Sequence, residues 1–187
     1  VRGWLDEAGY TKTESILDEW NYVEGWGMDF LYTLRAESGD QNLKSAALVA
    51  GVFCACQDRP VDMLMYYDLR PNTSWNGAFA PFPQDLQPAY YSFLYWAELA
   101  ENGVQGQSSS DAADIYTCAS QHPDGSVSLL ISRFNEDESV TASTKVKVTL
   151  PKGYNLVSGK TPSSKINISK GTVVLEPNSI VLLTITK

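Results

Sequence analysis

Histidine and cysteine are scarce in this sequence, which limits the chemistry open to it. Its single histidine is His122, and its three cysteines are Cys54, Cys56 and Cys118. One histidine and scattered thiols give almost no support for a metal site or for Ser-His-Asp catalysis. The odd, unclustered cysteines indicate buried free thiols and not a disulfide framework. We therefore expect a protein that uses no metal and no cofactor.

Long apolar runs and basic stretches are also lacking. No apolar run approaches the roughly 20 residues that a helix needs to span a bilayer. Acidic residues outnumber basic ones by 22 to 14, which gives a net charge of −8 at pH 7. Without a basic stripe, the chain has nothing to neutralise phosphates. The sequence thus predicts a soluble globular protein with no membrane partner and no nucleic-acid partner.

The composition changes near residue 103. Residues 1–103 contain 15 acidic and 6 basic residues and 18 of the 21 aromatic ones, whereas residues 104–187 contain 7 acidic and 8 basic residues. Gly, Gln and Ser make up most of residues 104–111, which is typical of a linker. We interpret the chain as two structural units, 1–103 and 112–187, joined by that linker.

The first unit alternates strands and helices. Apolar and capping patterns predict a strand at 14–19, a helix at 42–58, a strand at 61–68 and a helix at 89–101. The first of these helices is rich in alanine, which allows close approach to a sheet. Two consecutive β/α units of this kind place both polar strand ends at the same edge of a parallel sheet.

The second unit is predicted to be built from short strands. Short strands with alternating apolar residues are separated by turn signals such as Pro123-Asp124-Gly125. The predicted strands lie at 114–120, 127–134, 145–150, 154–157, 165–168, 172–175 and 179–186. Strands at this spacing predict an antiparallel β-sandwich.

The first predicted strand ends in a group of polar and aromatic residues. The apolar pair Ile16-Leu17 is followed directly by Asp18-Glu19-Trp20-Asn21-Tyr22. Strands end this way where their last residues face a ligand, as at the C-terminal rim of a (β/α)₈ barrel. A buried strand followed by a polar loop gives the same pattern. We interpret Glu19 as a catalytic carboxylate.

The run 16–22 resembles the nucleophile strand of retaining glycoside hydrolases of clan A, most closely family 39, the β-xylosidase type. In that family a strand ends in Glu followed by an aromatic residue and Asn. The resemblance implies that 61–68 is the eighth barrel strand, 88–103 the closing helix and 112–187 a sandwich behind the barrel. The implied fold is the last β/α units of a (β/α)₈ TIM barrel followed by an antiparallel β-sandwich.

The resemblance also implies that Glu19 is the nucleophile of a double-displacement reaction on an oligosaccharide or other β-linked glycoside. Retaining enzymes hold two carboxyl groups about 5–5.5 Å apart, one that attacks the anomeric carbon and one that protonates the leaving oxygen. Asp18, which precedes Glu19, is the other candidate for the nucleophile. Successive side chains of a regular strand point to opposite faces, so we expect Asp18 to be structural. Asn21 either orients Glu19 or a substrate hydroxyl, or caps the loop, and the sequence leaves these alternatives open.

Aromatic residues at or after the predicted strand ends are candidates for sugar binding. Sugar rings stack on aromatic faces because their axial C–H groups form an apolar patch. Each of these residues could instead pack in the core. The substrate-binding candidates are Trp20, Tyr67 and Trp75, with Tyr67 and Trp75 the preferred pair.

The acid/base residue of the family has no counterpart here. It is a Glu preceded by Asn at the end of the fourth barrel strand, whereas the only such pair in this sequence is Asn135-Glu136, in a predicted turn of the sandwich. A complete barrel takes about 250 residues and eight strands, and only two barrel strands are predicted here. We therefore expect the chain, which opens inside a helix without a signal peptide, to be the C-terminal part of a glycosidase.

The absence of an acid/base residue and of the other barrel strands from the sequence predicts how the isolated chain behaves. We expect it to be inactive and to self-associate through open strand edges. The alternative is a non-catalytic carbohydrate-binding or scaffolding protein in which residues 1–103 form a small α/β layer beside the sandwich. Residues 104–187 contain only three aromatic residues, few for a sugar platform, which counts against sugar binding by that segment.

Overall fold

The computed structural model describes residues 1–22, 40–67, 69–71, 77–80, 85–101, 103–162 and 166–187. The first unit contains helices α1 (Arg2–Glu7), α2 (Asp40–Cys56) and α3 (Pro88–Ala100) and strands β1 (Ile16–Trp20) and β2 (Met63–Tyr66). Within the described residues, no helix is long and apolar enough to cross a membrane.

The second unit is built from strands in two antiparallel sheets. These strands are β3 (Val104–Gly106), β4 (Ile115–Gln121), β5 (Val127–Arg133), β6 (Thr144–Lys147), β7 (Asn155–Lys160), β8 (Ile168–Ser169), β9 (Thr172–Leu175) and β10 (Ser179–Thr186). One sheet has five strands in the order β3-β4-β5-β10-β7, and the other has three in the order β6-β9-β8. This pairing agrees with the predicted sandwich.

Strands β1 and β2 form a parallel pair, and α2 lies between them in sequence. At their amino ends, the Ser15 N–H donates to the Asp62 carboxylate over 2.7 Å. At their carboxyl ends, the Tyr67 N–H donates to the Trp20 carbonyl oxygen over 3.0 Å. The two carboxyl ends therefore lie at the same edge of the sheet, as the β/α pattern predicted.

Helices α2 and α3 cover one face of the five-stranded sheet. The buried cluster there contains Ala46, Ala47, Ala50, Cys54, Ala89, Tyr95, Leu99, Cys118, Leu130, Ile180 and Leu182. The approach is close because α2 has small residues: the Ser132 hydroxyl donates to the Ala47 carbonyl oxygen over 2.5 Å, and a Cβ on Gly51 would lie 3.3 Å from the Tyr116 ring. The alanines of α2 thus pack it against the sandwich.

The three-stranded sheet covers the opposite face of the five-stranded sheet. A second buried cluster lies between the sheets and contains Ile115, Ile131, Val173, Leu175, Val181 and Leu183. Since Leu130 belongs to the helix cluster and Ile131 to this one, β5 is buried on both faces. Arg133 is also buried, and its guanidinium donates hydrogen bonds to the Asp114 carboxylate over 3.0 Å and to the Leu175 carbonyl oxygen over 3.1 Å.

The boundary between the units differs from the predicted linker. Residues 104–106 form β3, which pairs with β4 as part of the five-stranded sheet. The connection from α3 is tight, because a Cβ on Gly103 would lie 1.9 Å from the Ser120 hydroxyl oxygen and 2.5 Å from the Leu99 carbonyl oxygen. Only glycine fits where the chain passes directly from the helix into the sheet.

Candidate active site

The side chain of Asn21 holds the carboxyl ends of β1 and β2 side by side. Its Nδ2 donates to the Tyr67 carbonyl oxygen over 2.6 Å, and its Oδ1 accepts from the Tyr66 hydroxyl over 2.6 Å. The same Oδ1 accepts from the backbone N–H of Tyr22 over 2.7 Å. Of the alternatives left open for Asn21, these contacts favour the loop-capping amide.

Trp20 faces the helices. Its ring makes edge contacts with Phe53 of α2, at 5.8 Å between centroids, and with Tyr66, at 5.2 Å. Tyr66 contacts Phe93 of α3 at 5.1 Å. The indole Nε1 of Trp20 is buried and has no hydrogen-bond partner among the described residues. These edge-to-face contacts give Trp20 a packing role, and sugar binding by Trp20 stays a prediction.

A register shift in β1 coincides with the two carboxylates. The shift falls between Leu17 and Trp20. The two residues between them, Asp18 and Glu19, lie opposite the single residue Met65 of β2, and both are exposed. A bulge of this kind breaks regular alternation and re-aims side chains. Strand alternation therefore does not separate Asp18 from Glu19, because the strand is irregular at this point.

The other predicted substrate contacts follow β2. Tyr67 is 44% exposed and lies at the sheet edge where β1 ends. Its hydroxyl accepts a long hydrogen bond from the Arg70 guanidinium at 3.5 Å. Trp75 lies outside the described residues. The structure thus brings Asp18, Glu19, Asn21 and Tyr67 to one edge of the parallel pair.

Metal-ligating residues are not grouped in the part of the chain that the structure describes. There, no cluster of three or more His, Cys, Asp or Glu side chains could hold a metal ion. Burial raises the pKa of the Cys54 thiol and, with the charge of Asp58, that of the Cys118 thiol. Both thiols are therefore neutral packing groups at pH 7.

Lys44 of α2 is a buried charged residue that links the end of β1 to the sandwich. Its ammonium lies 5.9 Å from the centre of the Tyr22 ring and donates to the Glu136 carbonyl oxygen over 3.0 Å. Burial opposes its charge, but Tyr22 and the carboxylates of Glu136 and Glu138 outweigh burial and raise the pKa of Lys44. Lys44 thus ties the residue after Asn21 to the sandwich. The sequence feature that could have indicated its burial is the position of this lysine within an apolar stretch of α2.

Asn21 offers a direct test of how the strand ends are joined. We expect Asn21→Ala to lower the free energy of unfolding by about 1–3 kcal/mol, because it removes hydrogen bonds to Tyr66, Tyr67 and Tyr22 together. Tyr66→Phe is the matched control and should cost less, about 0.5–1.5 kcal/mol, since it removes one of them. Urea unfolding of both variants measures the difference. Equal losses would contradict the bridging role of the Asn21 amide.

The sequence matches no known protein-family model, and no curated protein matches it. The fold, however, is similar to that of solved glycoside hydrolases. These include the catalytic domain of GH30 xylanase C from Talaromyces cellulolyticus (TM-score 0.55, 13% identity) and a glucosidase from Croceicoccus marinus (TM-score 0.59, 16% identity). A third is the GH51 arabinofuranosidase from Xanthomonas axonopodis pv. citri, with a TM-score of 0.58 and 17% identity.

The matches cover nearly all of this chain and about half or less of the solved ones. The match to the xylanase covers 99% of this chain and 48% of the xylanase chain, and the match to the glucosidase covers 100% and 49%. The match to the arabinofuranosidase covers 92% of this chain and 41% of that structure. At such low identities the likeness shows the fold alone. It does not single out family 39, since the families named are GH30 and GH51. The chain therefore has a fold similar to part of these glycoside hydrolases.

Proposed function

We propose that residues 1–187 are the C-terminal part of a retaining glycosidase that hydrolyses β-linked glycosides, with Glu19 as the nucleophile. In this proposal β1 and β2 are the last two strands of a (β/α)₈ barrel, and the acid/base residue comes from outside this chain. The observation that carries it is the position of Glu19. It is an exposed carboxylate at the carboxyl end of a parallel strand, where barrel enzymes place their catalytic residues.

The proposed reaction needs two carboxyl groups in different roles. The Glu19 carboxylate attacks the anomeric carbon while the acid protonates the glycosidic oxygen, so the bond to the leaving group breaks and a glycosyl ester forms on Glu19. The deprotonated acid/base then takes a proton from water, which attacks the same carbon and releases Glu19. Asn21 fixes the strand end that carries Glu19, and Tyr67 offers an exposed ring for stacking.

Exposed apolar side chains on β1 and β2 support the proposal that further strands adjoin this sheet. Ile16, Leu17, Met63 and Met65 are 43–46% exposed. Among the described residues, each of the two strands is paired along one edge only. Burying apolar surface stabilises a fold by about 25 cal/mol per Å². We propose that six further β/α units cover this sheet in the whole protein, and that copies of the isolated chain self-associate through it.

Covalent labelling tests the proposed function. The whole protein would be incubated with 2-deoxy-2-fluoro β-xylosides and β-glucosides that carry a good leaving group. Fluorine slows both steps and the leaving group restores only the first, so a glycosyl ester accumulates. Peptide mass spectrometry should locate it on Glu19. A label on Asp18 would assign the nucleophile to the other carboxylate of the bulge. No label and no hydrolysis would favour the non-catalytic carbohydrate-binding or scaffolding alternative.

A further inference from the structure

Lys44 of α2 is a buried charge that the proposed reaction does not use. It is 5% exposed, although lysine is almost never fully buried unless it is paired. Taking an ammonium group out of water is costly, and a well-packed apolar side chain in its place is often as stable or more stable. Stability alone therefore does not account for a lysine at this position.

The contacts of the Lys44 ammonium join the sandwich to the end of β1. Its Nζ donates to the Glu136 carbonyl oxygen over 3.0 Å and lies 3.7 Å from carboxylate oxygens of Glu136 and Glu138. It also lies 5.9 Å from the centre of the Tyr22 ring, within the range of a cation–π interaction. Both carboxylates are largely exposed, and ion pairs with exposed groups contribute little to stability. The contacts therefore fix a geometry more than they stabilise the fold.

The part of the sandwich that Lys44 contacts is an acidic turn, residues 135–138, which is itself held by hydrogen bonds. The Asn135 N–H donates to the side-chain oxygen of Asn178, and the Asp137 N–H donates to the side-chain oxygen of Asn135, both over 2.9 Å. Asn178 directly precedes β10, a central strand of the five-stranded sheet. The carbonyl oxygen that accepts from Lys44 is thus anchored to the sandwich.

The amino-terminal part of α2, which carries Lys44, is anchored as well. The fully buried Asn42 accepts at Oδ1 from the Ala89 N–H of α3 over 2.7 Å. Its Nδ2 donates to the Gly77 carbonyl oxygen, also over 2.7 Å. The Lys44 side chain therefore extends from a fixed point on the helix to a fixed point on the sandwich.

Tyr22, the residue that the ammonium faces, belongs to the hydrogen-bonded end of β1. Its N–H donates to the Asn21 Oδ1 over 2.7 Å, and the same oxygen accepts from the Tyr66 hydroxyl over 2.6 Å. A displacement of Tyr22 would therefore disturb the contacts that hold the end of β1 beside β2. Glu19 lies on β1 two residues before Asn21, so it would move with that strand end.

We infer that Lys44 is a positioning residue for Glu19, because it joins the acidic turn of the sandwich to Tyr22 and so fixes the strand end that carries the nucleophile. Among the described residues, its polar contacts are with the turn and with Tyr22, so it acts on Glu19 only through the strand end. In naming Glu19 as the residue that is positioned, the inference rests on the proposed function.

Steady-state kinetics of the whole protein, well below its unfolding temperature, test the inference. Lys44→Met keeps an unbranched side chain of similar length and removes the charge and the hydrogen bond. We expect kcat for an aryl β-glycoside to fall about 10- to 100-fold, because misplacing a reacting group by about 1 Å has effects of this size. KM should change by less than about 3-fold, since groups that bind substrate are untouched. Lys44→Arg keeps the charge and should restore most of the lost kcat.

Lys160→Met is the matched control for Lys44→Met. Lys160 of β7 also joins the sandwich to a helix, through the Glu98 carboxylate of α3 at 2.8 Å, but its ion pair does not involve Tyr22. The same chemical change there should leave kcat within about 2-fold of wild type, because an exposed ion pair contributes little. Equal losses of kcat in both variants would overturn a specific role for Lys44, and so would a wild-type kcat in Lys44→Met.

Replacing the carboxylates of the acidic turn tests the same link without changing the buried core. The side chains of Glu136 and Glu138 are 74% and 66% exposed, so replacing both with glutamine should leave the fold intact. We expect kcat to fall about 2- to 5-fold, less than in Lys44→Met, because the pairs are weak and the carbonyl hydrogen bond to Lys44 remains. If Lys44→Met does not fold, this variant decides, and an unchanged kcat overturns the inference.

Hydrogen exchange of the strand ends gives a readout that does not depend on catalysis. We would follow residues 16–22 and 63–67 of the whole protein by mass spectrometry, which include the Tyr67 N–H that donates to β1. In Lys44→Met these segments should exchange at least about 10-fold faster, while β5 exchanges as in wild type. Unchanged exchange of 16–22 would overturn the inference even where kcat falls. If the wild type hydrolyses no glycoside, the proposed function fails, and exchange alone decides whether Lys44 fixes the end of β1.

Discussion

In the whole protein, replacing Glu19 with glutamine should lower kcat/KM for an aryl β-glycoside by about 10⁴- to 10⁶-fold, the range found when a covalent catalytic unit loses a member. The amide is isosteric with the carboxylate but cannot form the glycosyl ester. Because Glu19 is exposed at the end of β1, the change should leave the unfolding temperature within about 2 °C of wild type. Steady-state kinetics and thermal unfolding of the same preparations provide both readouts.

Asp18→Asn is the matched control for Glu19→Gln. The two carboxylates are adjacent, both are exposed, and both lie in the register shift of β1. We expect Asp18→Asn to retain activity within about 10-fold of wild type, since a residue that does not form the ester contributes at most to positioning. If Asp18→Asn is inactive and Glu19→Gln active, the bulge aims the other carboxylate at the sugar, and the assignment to Glu19 is wrong.

Azide provides a chemical check on the same residue. In Glu19→Gly, azide can enter the vacated space, attack the anomeric carbon and displace a good leaving group. The product expected is the glycosyl azide of inverted configuration, because only one displacement takes place. Asp18→Gly should show no such rescue.

The 187-residue chain by itself should hydrolyse no aryl β-glycoside at a measurable rate. In the proposed function the acid/base residue comes from outside this chain, and general acid catalysis is worth roughly 10²–10⁴-fold.

The second large effect is expected at Leu130. This residue of β5 is fully buried in the cluster shared by α2, α3 and the five-stranded sheet. Leu130→Ala should lower the free energy of unfolding by about 2–5 kcal/mol, because it removes buried methyl groups and leaves a cavity. For a chain of this length that corresponds to a fall of about 4–20 °C in Tm. Calorimetry and urea unfolding both measure it.

Val157→Ala is the matched control for Leu130→Ala. Val157 lies on β7 and is 60% exposed, so its replacement should change the free energy of unfolding by no more than about 0.5 kcal/mol. Because the Leu130 cluster joins both units, we also expect a single unfolding transition that shifts as a whole. Two transitions, of which Leu130→Ala moves only one, would show that the helices and the sandwich unfold independently.

The elements themselves were predictable because their signals are local. Alternating valines and lysines predict β6, and the apolar spacing of 89–101 predicts α3, which spans Pro88–Ala100. The polar and aromatic residues that follow Leu17 mark a strand end that differs from a core strand. The candidate site around Glu19 and Asn21 could therefore be proposed from the sequence before any tertiary contact was known, and it stays a prediction.

The sequence by itself determined the β/α units, the sandwich and the place of Glu19 at a strand end, because each depends on neighbours a few residues away. Only the tertiary structure decided the register shift that sets Asp18 and Glu19 opposite one residue of β2. It also decided that the alanines of α2 pack on the sandwich, that residues 104–106 join a sheet and that, within the described part of the chain, β6 pairs along one edge only. The register of a strand and the packing of elements on a sheet depend on strands and helices that are distant in the chain. No local sequence pattern encodes which of these elements lies beside a given strand.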